Sequence, residues 1–531
     1  MRRSRRASLA GNSGTDRVGE ILGNERNWGN GVNLASILDG HEVDDTALIY
    51  RGRSITYGVL NEQVARLRGG LVSLGVRNGD RVAILCSNSD HFVYTYFAVL
   101  GLGAVTVPLN PLSPAPELEA EIGKIGAKVV VIDKLSTGTW NNVDRDVVAS
   151  VKHVISCDVE DAVAEGVVAL NALLASDPAD RVEVTSDHLA TLVFTSGTAG
   201  KPRAAMLTHG NLLTNIDQAS DTGDRIGPDD VVYSVLPLFH IFGLNITLSH
   251  TLKTGATVVL VQRFDPLTAA ETIRDRQVTV VPGVPAMWAA FAHFDELDDG
   301  CFASVRLALS GASKLPVAVA EKMLDRFGVE IREGYGLTEA SPTCTSSVGG
   351  DVRFGSVGHA VNGVEIRLVG ESGQDALVGD AGEIWVRGGN VFIGYYHDTA
   401  ATESVLTDDG WLKTGDIATV DDDGYLYLVD RAKDLVIVSG FNVYPAEVED
   451  VLASHPDVDD AAVIGVPHPH TGEAVKAFVV AAEGADIDEE SLIEYSLDHL
   501  ARYKCPSKVM FVNELPRSAT GKLVRRELVI A

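Results

Sequence analysis

Along roughly the first 380 positions, apolar residues switch repeatedly between a helical and an extended rhythm. Tyr57–Leu74 carries them three and four apart, meets Gly75, and gives way to the short apolar run Arg81–Cys86. That spacing predicts an amphipathic helix followed by a strand. Ala127–Ile132 and Leu189–Phe194 are β-branched runs, the pattern of parallel strands buried on both faces. Phe92–Leu109 comes closest to a membrane-spanning run, but Gly101, Gly103 and Pro108 break it. It reads as a buried helix and then a strand, too short to span a bilayer. Helix and strand alternating in this way predict a doubly wound α/β architecture.

The rhythm changes after about Val361. Val364–Val369, Gly382–Val386 and Tyr425–Val429 are short alternating runs, with an Asp421-Asp-Asp-Gly424 turn before the last. They predict an antiparallel, β-barrel-like part closing the large domain. The last hundred residues predict a helix over Ala446–Ala453, strands at Ala461–Val466 and Ala474–Ala481, and a helix over Glu489–Ala501. That is enough for a small α+β domain. The expected division is a disordered tail over 1–30, a large domain over 31–430 and a small domain over 431–531. The boundary falls at Asp430–Lys433.

Composition narrows the function. At 531 residues the chain is too long for a single core. Its 45% apolar and 22% charged content is that of a soluble globular protein. The net charge of −29 excludes a nucleic-acid partner, which needs a basic surface. A phosphate site in so acidic a chain must be built locally, from backbone amides and a few placed cations. The five cysteines are widely spaced and form no CxxC, which fits a reducing, cytoplasmic setting and neither a disulfide framework nor a zinc site. The basic start Met1-Arg-Arg-Ser-Arg-Arg lacks the apolar stretch of an export signal.

The chemistry concentrates first in Leu192-Val-Phe-Thr-Ser-Gly-Thr-Ala-Gly-Lys-Pro-Arg203. An apolar strand runs into small and hydroxylic residues and then a lysine. Thr195, Ser196, Gly197, Thr198, Gly200 and Lys201 are the candidate phosphate cradle, since small residues let amides close around anionic oxygens. It is not a Walker A loop: two residues separate Gly197 from Gly200, and Pro202 follows Lys201. Six further segments follow in order: Pro237-Leu-Phe-His-Ile-Phe-Gly243, Ser310-Gly-Ala-Ser-Lys314, Glu333-Gly-Tyr-Gly-Leu-Thr-Glu339, Thr414-Gly-Asp416, Asp430-Arg-Ala-Lys433 and Ser439-Gly-Phe-Asn-Val-Tyr-Pro445. A last one, Pro516-Arg-Ser-Ala-Thr-Gly-Lys522, lies near the C-terminus.

Taken together, these segments resemble the adenylate-forming (AMP-binding) superfamily, and within it the acyl-CoA synthetases. The resemblance implies ATP, Mg²⁺ and coenzyme A as co-substrates and cofactor, and a carboxylic acid as the group activated. It implies that Gly311, Ala312, Ser313, Glu333, Gly334, Tyr335, Gly336, Thr338, Asp416 and Arg431 join the phosphate loop in holding the nucleotide. An acceptor-only carboxylate such as Asp416 suits ribose hydroxyls. Glu339 is the implied Mg²⁺ ligand. Lys522 is the implied catalytic lysine, bridging the acid and the α-phosphate, where charge accumulates as pyrophosphate leaves. His240, Phe242, Gly243, Val284, Gly311 and Gly336 are implied for the acyl pocket. His240 would guard the carboxylate end, since a carboxylate needs no general base at neutral pH. Ser439, Gly440 and Asn442 are implied for coenzyme A, reached when the small domain turns about a hinge at Lys433.

The chain departs from the family at Arg203-Ala204, where Lys-Gly is usual, and at Ile437, where some relatives carry lysine. The expected activity is ATP-dependent formation of an acyl-AMP from a medium- or long-chain fatty acid, then transfer to coenzyme A. An aryl-acid ligase resembling 4-coumarate–CoA ligase and a fatty acyl-AMP ligase loading a carrier protein remain open. So do monomer and homodimer. His468-Pro-His470 lacks a third ligand and reads as a loop.

Overall fold

The computed structural model describes residues 8–10, 32–158, 166–195, 202–221, 223–370, 372–431, 434–438, 441–468, 472–500, 502–518 and 521–528. Two sheets form the body of the large domain. The first has seven strands, in the order Arg203–Thr208, Leu189–Thr195, Val105–Pro108, Arg81–Leu85, Val129–Ile132, His153–Ser156 and Val167–Ala169. All pairings are parallel except the first, an antiparallel pair that flanks the candidate phosphate loop of the sequence. The second has nine strands, with a parallel centre running Ile331–Gly336, Leu307–Ser310, Val280–Gly283, Val231–Ser234 and Thr257–Leu260.

The helices form where the sequence spacing directs them. Tyr57–Ser73 starts on Thr56, whose hydroxyl accepts the amide of Val59. It buries Tyr57, Leu60, Val64, Leu67 and Leu71, one stripe at helical spacing. Each such side chain contributes about 1.5–3 kcal/mol relative to exposure. Asp90–Gly101 is buried almost all round, which accounts for its continuous apolar run. Phe242–His250 winds as a π-helix. The Thr247 and Ser249 hydroxyls donate back to the carbonyls of Phe242 and Leu244, five residues earlier. Asn88 joins the two sheets: its amide donates to the carbonyls of Leu236 and Val261 at 2.9 and 3.1 Å, and its carbonyl accepts from Leu238 at 3.0 Å.

The residues after Val361 form the antiparallel part, a five-stranded sheet of Ser8–Ala10, Val364–Val369, Gly382–Gly388, Leu412–Val420 and Leu426–Arg431. Within the segment 1–30, expected as a disordered tail, Ser8–Ala10 pairs antiparallel with Glu365–Arg367. Val364–Val369 would otherwise be an edge strand, and its open backbone groups accept a second partner. The small domain has its own five-stranded sheet, built on Val458–His468 and Gly472–Ala481, with helices Pro445–Ala453 and Glu489–His499. Its separate core includes Val448, Leu452, Val463, Val475 and Leu492. Among the described residues, no helix is long and apolar enough to cross a membrane.

Candidate active site

The carboxyl ends of the parallel strands in the nine-stranded sheet converge, the place where open α/β sheets bind ligands. Gly283, Ser310 and Glu333 stand side by side in register on three neighbouring strands. Just beyond them lie Val284, the Gly311-Ala312-Ser313 turn and the Gly334-Tyr335-Gly336 segment. Ala312 holds a left-handed φ of 71°, so the chain bends sharply there. A Cβ on Gly336 would lie 2.2 Å from the Pro342 carbonyl oxygen, so only glycine fits that pairing. A Cβ on Gly311 would meet the Phe242 ring at 3.1 Å. Phe242, the first residue of the π-helix, therefore packs directly on the Gly311 turn.

Three carboxylates define the polar side. Glu333 is buried and accepts the Leu315 amide at 3.3 Å. Burial pushes its carboxyl up to about 7, against the pull of the Leu315 and Gly355 amides and Lys314. Asp416 is buried and accepts the Tyr335 hydroxyl at 2.7 Å. Strand register places Asp416 directly opposite Arg431. Glu339 lies in the short 3₁₀ turn Thr338–Ala340 and accepts the Tyr395 hydroxyl at 2.7 Å. Asp416 and Glu339 are near enough together that both, after burial, raise the Cys344 thiol.

The apolar side carries His240. Its Nδ1 accepts the Phe242 amide at 3.3 Å. Burial first, and Lys522 second, lower the ring to about 4, so it is neutral at pH 7. Lys522 belongs to the small domain, and its charge reaches His240 in the large one. The loop that carries it rests on the large domain: a Cβ on Gly521 would lie 3.4 Å from the Ala286 Cβ and 4.0 Å from a Val284 methyl. A tight turn presents the lysine, with the Ser518 amide donating to the Lys522 carbonyl at 2.8 Å and the Lys522 amide to the Ser518 hydroxyl at 3.2 Å.

Several sequence candidates lie elsewhere. Thr195 ends its strand opposite Arg203. Ser196, Gly197, Thr198, Gly200, Lys201, Lys433, Ser439 and Gly440 lie outside the described residues, as does His470, and Arg431 and Asn442 are described in backbone only. Gly243 sits on the first turn of the π-helix, beside the Pro237 carbonyl. Sequence reasoning missed Tyr395 and Asn88. Tyr395 is 56 positions from Glu339, and no short motif joins them.

A family model for AMP-binding enzymes matches residues 37–396, and one for the AMP-binding enzyme C-terminal domain matches residues 447–522. The chain belongs to the AMP-binding enzymes. It is 38% identical over 485 residues to a feruloyl-CoA synthase of Amycolatopsis sp, covering 91% of this chain and 95% of the relative. It is 33% identical over 513 residues to a long-chain-fatty-acid–CoA ligase of Bacillus subtilis, covering 92% and 91%. ATP-bound MatB from Rhodopseudomonas palustris superposes with a TM-score of 0.87 at 33% identity, over 94% of this chain and 98% of that one. The apo form of MatB, with the same coverage, gives 0.77. This AMP-binding enzyme is an acid–thiol ligase, working through an adenylate with ATP as substrate.

Proposed function

We propose that this enzyme activates an apolar carboxylic acid in two half-reactions, with a medium- or long-chain fatty acid as the substrate. In the first, a carboxylate oxygen attacks the α-phosphorus of ATP, and the bond to pyrophosphate breaks. In the second, the thiolate of coenzyme A attacks the acyl carbonyl, and AMP leaves. The observation that carries the reading is Lys522 held within electrostatic reach of His240. An ammonium placed there stabilises the charge that develops between acid and phosphate. Neutral His240 would close the carboxylate end of the pocket without repelling that lysine. Asp416 and the opposed Arg431 would take the ribose, and Glu333 and the Gly334–Gly336 segment the base. The higher TM-score against ATP-bound than against apo MatB supports a small domain poised for the first half-reaction.

Glu339 fits Mg²⁺. Tyr395 occupies one of its oxygens, and among the described residues the other has no partner. Among the described residues no cluster of three acidic, histidine or cysteine side chains is placed to hold a metal. A single carboxylate is what Mg²⁺ uses when phosphates supply further ligands. The bound ion would offset phosphate charge. For the second half-reaction, the small domain would turn at Lys433 and bring Ser439, Gly440 and Asn442 to the pantetheine. A second reading, an aryl acid as substrate, draws on the greater identity to the feruloyl-CoA synthase.

The test is pyrophosphate release with Mg·ATP against fatty, aryl and amino acids, with and without coenzyme A, on wild type and Lys522→Ala. Turnover that requires a fatty acid and coenzyme A supports the proposal. Preference for an aryl acid keeps the chemistry and replaces the substrate. Lys522→Ala is expected to lose pyrophosphate release by about 10²–10³-fold, yet still make thioester from supplied acyl-AMP. Loss of both steps would sink the assignment of the lysine to the first.

A further inference from the structure

The segment Phe392–Tyr396 has no place in the nucleotide motifs, yet it ties two of them together. Its backbone lies along Arg203–Thr208, the strand that leaves the phosphate loop. The Met206 amide donates to the Gly394 carbonyl at 2.9 Å, and the Tyr396 amide to the Ala204 carbonyl at 2.8 Å. The Ile393 amide donates to the Met206 carbonyl at 3.2 Å. On its other side, the Phe392 amide donates to the Glu339 carbonyl at 2.8 Å. One short segment thus fixes the register of the loop strand and of the Glu339 turn at once.

Tyr395 is the side chain at the centre of this clasp. It is 7% exposed. Its hydroxyl donates to Glu339 at 2.7 Å. Its ring packs edge-on against Phe392, with centroids 5.0 Å apart, and carries the Arg203 guanidinium 5.5 Å above its centre. Arg203 is itself held by Asp398, at 3.5 Å, and Asp398 caps the next helix by accepting the Ala401 amide. Arg203 stands at one of the positions where the sequence reading expects a departure from the usual family pattern. A planar, delocalised cation suits an aromatic face better than an ammonium does.

We propose that Tyr395, braced by Arg203, is a positioning residue for adenylation: it fixes the orientation of the Glu339 carboxylate and couples it to the phosphate-loop strand. The proposal rests on the reading of Glu339 as part of the nucleotide site. A hydroxyl bound to one carboxylate oxygen leaves the other aimed in a single direction. Without it, the carboxylate regains torsional freedom that must be lost again at each turnover. Tyr395 touches neither acid nor nucleotide in this account; its effect passes through Glu339.

The test is a double-mutant cycle of Tyr395→Phe and Glu339→Gln. Two quantities are read: affinity for Mg·ATP by calorimetry, and single-turnover pyrophosphate release at saturating Mg·ATP. Tyr395→Phe keeps the ring and its stacking, and thermal unfolding checks that the fold is intact. Pyrophosphate release is expected to fall about tenfold, the loss expected for one hydrogen bond to a charged group. Thioester formation from supplied acyl-AMP should stay within about twofold of wild type. In the Glu339→Gln background, Tyr395→Phe should add less than about twofold. Undiminished release in Tyr395→Phe overturns the proposal. So does equal loss of both half-reactions, which marks a merely structural role, and so do fully additive effects. If wild type forms no adenylate with any acid, the functional reading fails. The calorimetric cycle then decides separately, and additive losses in Mg·ATP affinity overturn the coupling.

Discussion

The His209 ring is fully buried; its Nδ1 accepts the Leu34 amide at 2.9 Å, and its Nε2 has no partner among the described residues. Protonation would set a charge against that amide in a fully buried site. Burial, with His188 as a smaller cause, therefore lowers the ring to about 3. In the unfolded chain it titrates near the ordinary histidine value of 6.5. The sign follows directly. Above 6.5 neither state binds the proton, and the contribution to stability is complete. As pH falls from 6.5 toward 3, only the unfolded chain gains the proton, and stability is lost. Urea midpoints should therefore drop from pH 7 to pH 4. His209→Gln should be less stable at pH 7 but lose less over the same interval; parallel losses in the two proteins would disprove the role. Glu333 has the opposite sign, since its raised carboxyl favours the fold most at low pH. At this scale, Glu339, Asp416 and Lys522 could be named as candidates because each sits in a short contiguous signature. His209, Asn88 and Tyr395 could not, because their partners are 175, 150 and 56 positions away. Only the completed topology brings those residues together.

Elements were legible where periodicity and stop signals agree. The helix read at Tyr57–Leu74 is Tyr57–Ser73, and the last one, read to Ala501, ends at His499. The strand read at Tyr425–Val429 is Leu426–Arg431. That displacement matters, since the last residue of the strand is the one opposite Asp416. The π-helix could not be read, because nine residues are too few to separate its period from that of an α-helix. Its consequence is functional: it sets Phe242 against Gly311, a contact between two elements that no sequence window contains. A methyl at Gly311 would stand 3.1 Å from the Phe242 ring, closer than ordinary contact, so the ring would have to move aside. Gly311→Ala should therefore shift the ratio of kcat/KM between dodecanoate and butyrate toward butyrate. About tenfold is expected, the scale on which apolar pockets discriminate by a methylene or so. An unchanged ratio, measured by pyrophosphate release across the chain-length series, would show that this contact is not a wall of the acyl pocket.

Across the whole molecule, the question is what holds the small domain over the large one. The Gly521–Lys522 turn lies on Ala286 and Val284, and Lys314 of the large domain meets Asp450 of the small one at 2.6 Å. Lys314 ends the segment that begins at Ser310, one residue before the Leu315 amide that binds Glu333. The ion pair thus joins the nucleotide side of the site to helix Pro445–Ala453. The sequence marked the two domains, since each has its own apolar pattern and core. It could not show their mutual placement, which depends on a few surface contacts with no periodicity. Both charges are substantially exposed, with 36% and 58% of the side-chain area accessible. Such a pair is worth about 0.2–1 kcal/mol, so removing it shifts a two-state arrangement by no more than about fivefold. That suits a contact which the proposed turn of the small domain would break and remake in every cycle. Asp450→Lys should lower pyrophosphate release by about two- to fivefold and leave thioester formation from acyl-AMP unimpaired or faster. Lys314→Asp combined with Asp450→Lys should restore the first step by recreating the attraction in reverse. Raising salt toward 1 M should mute the whole series, because screening there acts within about 3 Å. An Asp450→Lys enzyme that slows both steps alike, or a swapped pair that rescues neither, would mean that the contact does not select the adenylating arrangement.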